Sequence, residues 1–210
     1  MNLKKLNYNN TIIYFLLIII AFAARFYLID DRNSWHDEWH SIYVADPNIS
    51  NEETFLRYYG DKGDTFLTEF YPPLYLYILK FFFKLFGYID DNGRYLSLIF
   101  GVLSVPLAMK LASMLKKGNI YISVGLLISF NLFLTWQSIE IRAHSIFIAF
   151  SLLNIILFYK ILDNKNLILL FLYFISSLFL LSLWPITGAI FFGKTIYLIK
   201  DFVIKKDKNL

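Results

Sequence analysis

The stretch YLSLIFGVLSVPLAMKLASML, residues 95–115, decides the fold class of this chain. It carries one charged residue, Lys110, and is otherwise apolar or weakly polar. A helix needs about 20 such residues to cross the hydrocarbon layer of a bilayer, and this stretch is long enough. The sequence therefore predicts a transmembrane helix at this point.

Further apolar runs lie on both sides of this stretch. Four of them have a comparable length and the last one is shorter and weaker: 11–29, 119–136, 144–162, 166–183 and 186–200. Together with residues 95–115 they predict an all-α fold, a polytopic transmembrane helical bundle of about six spans.

The bulk composition supports a membrane protein and argues against a soluble domain. Of 210 residues, 58% are hydrophobic and 17% charged, and the mean hydropathy is +0.54. A soluble domain of this size cannot bury so much apolar surface. The net charge of +4 comes from basic residues spread between the apolar runs. Because they are not clustered, they predict a lipid bilayer as the partner and argue against nucleic-acid binding. Cysteine is absent, which excludes disulfides and thiolate metal sites.

The chain is predicted to be one transmembrane module over residues 1–210. Its parts are the first span at 11–29, an outer loop with interfacial helices at 30–94, the remaining spans at 95–200 and a cytoplasmic tail at 201–210. The first span also resembles a signal peptide, because basic residues precede it and Ala21-Phe22-Ala23 could form a cleavage site. In either case the loop that follows starts outside.

The segment YPPLYLYILKFFFKLFG, residues 71–87, decides the orientation of everything after it. Lys80 and Lys84 lie one helical turn apart, as in an amphipathic helix that rests at the interface with its charges toward water. If the segment does not cross, the basic pairs at 4–5 and 116–117 both fall in the cytoplasm, as the positive-inside rule prefers. We favour this topology; a crossing segment would move Arg142 to the cytoplasmic side. In the favoured topology residues 30–94 and Arg142 both lie on the extracytoplasmic side.

The loop from Asp30 to Tyr71 is long, and it mixes aromatic residues with charges. A loop of this length is usually functional or disordered, and the aromatic content argues against disorder. We expect short helices on the membrane surface that cover a cavity.

The loop contains SWHDEWHSIY, residues 34–43, which allows two interpretations. His36 and His40 have the i, i+4 spacing of a zinc peptidase, but the residue after the first histidine is Asp37 where such enzymes have glutamate. Asp91 is a loose candidate for a third metal ligand. Alternatively, Asp37 and Glu38 form an acid/base pair in which one carboxylate acts as the general base.

A second polar cluster, QSIEIRAHS at residues 137–145, favours the carboxylate interpretation. The preferred topology places it at the same outer face as Asp37 and Glu38. Glu140 and Arg142 are costly at a helix end in a membrane unless they pair or bind a ligand. A structural Glu–Arg pair or simple anchoring at the interface remains the alternative.

These residues and their order resemble the N-terminal module of GT-C glycosyltransferases over about residues 10–165. The chain is most similar to the protein O-mannosyltransferase and aminoarabinose transferase group, including related bacterial enzymes of envelope polysaccharide. The motifs that carry the resemblance are Asp37-Glu38, YPPL at 71–74, FG at 86–87, RYLS at 94–97 and SIEIRAHS at 138–145.

The resemblance implies an inverting transferase with a polyprenyl-phosphate sugar as donor and a glycan, lipid or protein hydroxyl as acceptor. It also implies a location in the bacterial inner membrane, with the active face extracytoplasmic. Asp37 matches the catalytic aspartate of the family, which accepts the proton of the attacking hydroxyl, and Glu38 would support it. Arg142 matches the arginine that suits the donor phosphate, since a guanidinium grips phosphate with two bonds. Glu140 matches an acid that orients this arginine or a divalent ion.

Three further predictions concern other residues near Asp37 and Arg142. His144 stands where the family usually has tyrosine. Arg94 either contacts the donor phosphate or anchors the helix end at the interface. His36 and His40 are metal ligands, partners of Asp37 or simple interface residues. No cofactor is certain from the sequence, and a divalent metal cation is one candidate.

The family continues through several more spans, whereas this chain stops after about six. It is therefore expected to be the truncated first part of a transferase, a subunit that needs a partner to supply the missing spans, or a degenerate copy. The alternatives to an enzyme are a noncatalytic partner subunit and a lipid-linked-sugar carrier. An intramembrane metalloprotease is a third hypothesis.

Overall fold

The computed structural model describes residues 8–29, 34–60, 72–116, 118–164 and 166–207. Within these ranges the chain is helical and contains no strand, so the all-α prediction is confirmed. Predictions that concern Lys4 and Lys5, Asp30, residues 61–71 and Lys117 lie outside the described residues. The helices are α1 (Tyr8–Phe26), α2 (His36–Val44), α3 (Asn51–Tyr59), α4 (Leu74–Phe86), α5 (Asp90–Leu115), α6 (Ile120–Phe130), α7 (Leu132–Gln137), α8 (His144–Asp163), α9 (Leu167–Leu183) and α10 (Thr187–Asp207).

The predicted apolar runs coincide with helices. Two of these helices, Asp90–Leu115 and His144–Asp163, are long and apolar enough to cross a membrane. The shorter apolar helices are Thr11–Phe26, Ile120–Phe130, Leu167–Leu183 and Thr187–Ile199. The arrangement of about six spans therefore stays a prediction.

The run 119–136 is not one helix, because the chain breaks it at Asn131. Asn131 has an extended ψ of 115°, and its side-chain oxygen accepts a hydrogen bond from Leu134 N at 2.9 Å, which caps α7. On the other side of the break, buried Arg25 of α1 donates to the carbonyl oxygens of Ile128 and Ser129 at 3.1 and 3.2 Å. A cation at these last carbonyls satisfies groups that a helix end leaves unpaired.

Helix α5 forms the centre of the bundle, since it contacts α1, α4, α6 and α8. The turn between α7 and α8 packs closely against it at two glycines. A Cβ on Gly93 would lie 2.9 Å from the Ile141 side chain, and the Ser138 side chain occupies the space beside Gly101. These glycines let residues 138–143 lie directly on the first half of α5.

Helices α2 and α3 pack on α4, and their buried side chains join one core with α5 and α8. Lys80 of α4 donates to Ile49 O at 2.8 Å, Ser50 O at 3.0 Å and Thr54 Oγ1 at 2.8 Å. The prediction that Lys80 points to water beside Lys84 is therefore wrong: Lys80 is buried under the loop before α3 and Lys84 is exposed. A lysine that supplies three donors to loop oxygens fixes the loop on α4.

Helix α10 is joined to the bundle by a buried polar cluster. Lys194 contacts the side-chain oxygen of Asn154 on α8, and its ammonium lies 4.9 Å from the centre of the Tyr173 ring. Asn154 also donates to Ser176 and Ser177 of α9 at 2.7 and 2.9 Å. Polar contacts of this kind hold helices together where the surroundings are apolar.

Candidate active site

The two polar stretches of the sequence meet at one end of the bundle. Arg142 Nη2 lies 3.5 Å from Asp37 Oδ2, although the residues are far apart in the sequence. Asp37 is in the first turn of α2, and Arg142 is in the turn before α8. Both side chains are partly exposed, at 42% and 26%, so each can reach a ligand.

Glu38 points away from this pair and into the protein. Its Oε1 accepts a hydrogen bond from Ile141 N at 3.0 Å, and its Oε2 accepts one from Trp35 N at 3.3 Å. The residue is fully buried. Neighbouring residues on a helix point about 100° apart, and Glu38 accordingly faces the protein while Asp37 is partly exposed. Glu38 instead ties α2 to the turn that carries Arg142, and so it positions the Asp37–Arg142 pair.

Arg94 is buried behind Glu38. Its Nη2 lies 3.8 Å from Glu38 Oε2 and donates to Ser34 Oγ at 3.0 Å, while Nη1 donates to Ile29 O at 3.2 Å. Ser34 Oγ in turn donates to Asp90 Oδ2 at 2.6 Å. Of the two predicted roles for Arg94, this geometry favours anchoring, but the anchor is the loop after α1 and not the lipid interface.

Glu140 fixes the turn between α7 and α8. Its carboxylate accepts hydrogen bonds from Trp136 Nε1 at 2.6 Å and from Gln137 Nε2 at 3.2 Å. Its backbone oxygen accepts one from Ser97 Oγ on α5. A buried carboxylate needs such donors, and here they hold the backbone that precedes Arg142 in a set position. Any orientation of Arg142 by Glu140 stays a prediction.

A half-open cleft lies beside Arg142. Its walls come from α2, α3, the start of α4, the start of α8 and the turn between α9 and α10. The residues that line it are His40, Ser41, Tyr58, Pro72, Pro73, Tyr75, Leu76, Arg142, Ala143, His144, Leu183 and Trp184. Of the predicted site residues, Arg142, His144 and His40 line this cleft. Asp37 does not line it but contacts Arg142, which does.

Tyr75 of α4 is a cleft residue that the sequence did not single out. Burial raises the pKa of its hydroxyl, while the nearby Arg142 partly opposes this shift. The phenol therefore stays protonated at neutral pH and presents a neutral polar group beside the arginine. Nothing in the motif YPPLYLY distinguishes this tyrosine from its neighbours.

Trp184 is a second cleft residue that the sequence did not single out. It lies in the turn between α9, which ends at Leu183, and α10, which begins at Thr187. The indole ring contacts the imidazole of His144, with the ring centroids 4.8 Å apart and the planes 36° from each other. His144 is thus part of an aromatic wall.

The described residues contain no group of three or more His, Asp or Glu side chains arranged to hold a metal ion. His36 is 88% exposed, with Nδ1 3.9 Å from Asp37 Oδ1. His40 lines the cleft. Asp91 Oδ1 lies 3.8 Å from Arg94 Nη1. The His36, His40 and Asp91 set proposed from the sequence is not assembled here, and we derive no chemical step through a metal.

The chain was compared with protein-family models, curated proteins and solved structures, and no family model, curated protein or solved structure matches it. Its function is therefore inferred from the side chains that meet at the cleft and from the sequence motifs that carry them.

Proposed function

We propose that this chain is an integral membrane glycosyltransferase module of the GT-C type. It has about six spans and moves a sugar from a polyprenyl-phosphate donor to an acceptor hydroxyl at the outer face of the membrane. The observation that carries the proposal is the 3.5 Å approach of Arg142, which lines the cleft, to Asp37. One side chain can accept a proton there and the other can hold a phosphate.

The two side chains divide the reaction between them. The acceptor oxygen attacks the anomeric carbon, and its proton passes to the Asp37 carboxylate. The bond between the anomeric carbon and the phosphate oxygen breaks, and the negative charge on the departing polyprenyl phosphate is stabilised by Arg142. Attack opposite to the leaving phosphate inverts the anomeric configuration.

The contact between Asp37 and Arg142 suggests an order of events. A donor phosphate competes with the Asp37 carboxylate for the same guanidinium. Once the phosphate holds Arg142, the carboxylate is released and becomes free to accept a proton. An exposed ion pair contributes about 0–1 kcal/mol, so exchanging one anion for the other costs little.

The helices support the membrane part of the proposal. Beyond the two long apolar helices, large apolar side chains are exposed along α9, including Leu167, Ile168 and Phe171. Lipid tails would cover such residues. The outer orientation follows from the positive-inside rule, and the partner subunit that supplies further spans belongs to the same proposal.

The experiment is a donor assay with the whole chain in membranes or detergent. Labelled polyprenyl-phosphate hexoses are supplied with an extract of envelope acceptors, and both release of polyprenyl phosphate and labelled product are measured. We expect release with at least one hexose. Donor binding without release would support the carrier or subunit alternative. The proposal would be overturned if the protein bound no hexose donor and released no polyprenyl phosphate.

Changing Arg142 to Ala is expected to weaken donor binding by about 10- to 100-fold, because charged hydrogen bonds to the phosphate are lost. Arg142→Lys keeps the charge but not the two-pronged geometry, so a smaller loss of affinity is expected. The measurement is the dissociation constant for polyprenyl phosphate. Lys84→Ala removes an exposed charge from α4 and serves as the control. Equal affinity in the Arg142→Ala variant and the control would remove Arg142 from the phosphate site.

A further inference from the structure

The turn between α9 and α10 holds Trp184 firmly at one wall of the cleft. The backbone nitrogen of Trp184 donates to Leu180 O at 3.1 Å, and its carbonyl oxygen accepts from Thr187 Oγ1 at 2.6 Å. Thr187 Oγ1 also contacts Leu180 O at 2.9 Å, and Thr187 is buried. The end of α9 and Thr187 therefore fix the backbone that carries the indole ring.

The indole ring is supported by two other rings of α8. His144 lies 4.8 Å from it, and Phe147 meets it edge-on at 5.6 Å with a plane angle of 63°. Such contacts are worth about 0.5–1.5 kcal/mol each and hold a ring in one orientation. His144 is two residues from Arg142, and all three of Arg142, His144 and Trp184 line the same cleft.

We propose that Trp184, supported by His144, is the surface on which the pyranose ring of the donor sugar rests. This inference depends on the proposed function, because Arg142 must hold the phosphate next to that sugar. The C–H bonds of a pyranose carry partial positive charge and pack on the negative face of an aromatic ring. The sugar hydroxyls can then bond to polar side chains that line the cleft, such as Ser41.

The position of the cleft fits this occupant. With the donor phosphate held by Arg142, the sugar bonded to that phosphate lies next to the arginine, and Arg142 lines the cleft. Trp184 is the large aromatic side chain that lines the same cleft from the turn after α9.

The test compares two probes on the whole chain in detergent: bare polyprenyl phosphate and the polyprenyl-phosphate hexose with the highest affinity for the wild type. In the wild type we expect the sugar to increase affinity. Trp184→Leu keeps apolar volume without an aromatic face, and we expect it to weaken binding of the hexose probe by about 10-fold with the bare lipid unchanged. Trp184→Phe is expected to restore most of the difference.

Trp39→Leu is the matched control, because Trp39 is exposed on α2 and does not line the cleft. Equal losses for both probes, or no loss for either, would overturn the inference. Turnover is measured separately. If sugar binding depends on Trp184 but no turnover is found, Trp184 is the sugar-binding surface and the protein is not a transferase. If turnover is found and is the same in the Trp184→Leu variant, only the role of Trp184 is rejected.

Discussion

Asp37→Asn is expected to lower sugar transfer by about 10²- to 10⁴-fold, the range that a general base contributes, while the protein stays folded. Asparagine has nearly the same shape but cannot accept the proton of the attacking hydroxyl. Asp37 is 42% exposed and its contact with Arg142 is an exposed ion pair, which adds little stability. The loss should therefore be one of kcat and not of folded protein.

The same substitution should leave donor binding equal or tighter, because asparagine competes less with phosphate for Arg142. This combination of a lower kcat with an unchanged or lower KM for the donor distinguishes a base from a binding residue. Glu52→Gln is the control, since Glu52 is an exposed carboxylate in the first turn of α3. Transfer by Asp37→Asn within about threefold of the control would exclude Asp37 as the base, since a base contributes far more.

Changing the adjacent Glu38 to alanine is expected to destabilise the protein by about 3–5 kcal/mol, the usual cost of removing one partner of a buried ion pair. Arg94, whose side chain is 4% exposed, would lose its buried carboxylate, and the N–H of Ile141 would lose its acceptor. The two neighbouring acids therefore give opposite results. Asp37→Asn is expected to fold without activity, whereas Glu38→Ala is expected to destabilise the fold that carries the site.

Glu38→Gln separates hydrogen bonding from charge. It keeps an oxygen for Ile141 N but removes the negative charge near Arg94, so a smaller loss of about 1–2 kcal/mol is expected. The measurements are thermal unfolding in detergent and hydrogen exchange over α2 and residues 138–143. A Glu38→Ala protein as stable as Glu52→Gln would show that Glu38 does not hold these segments together.

The helices could be predicted from the sequence because their signal is local. An apolar run such as 144–162 predicts a helix by itself, and α8 spans His144–Asp163. The break at Asn131 could not be predicted in this way. No proline or glycine marks it, and what stabilises it is the guanidinium of Arg25, which arrives from another helix.

The candidate site was predictable in part. The sequence motifs selected Asp37 and Arg142, and the structure brings these two together. The sequence motif predicted that Glu38 would support Asp37 but not by which contacts, because the direction of each side chain depends on tertiary packing. Trp184 could not be found from its motif, because its contact with His144 forms only after α8 and α9 pack.

The hydrogen bond from Ile141 to Glu38 has a consequence for how this site varies among sequences. The donor is a peptide N–H, which every amino acid except proline supplies. Substitutions at position 141 are therefore not expected to track those at position 38, and correlated variation would miss the link between the two halves of the site. Its signature in an alignment would be the avoidance of proline at position 141.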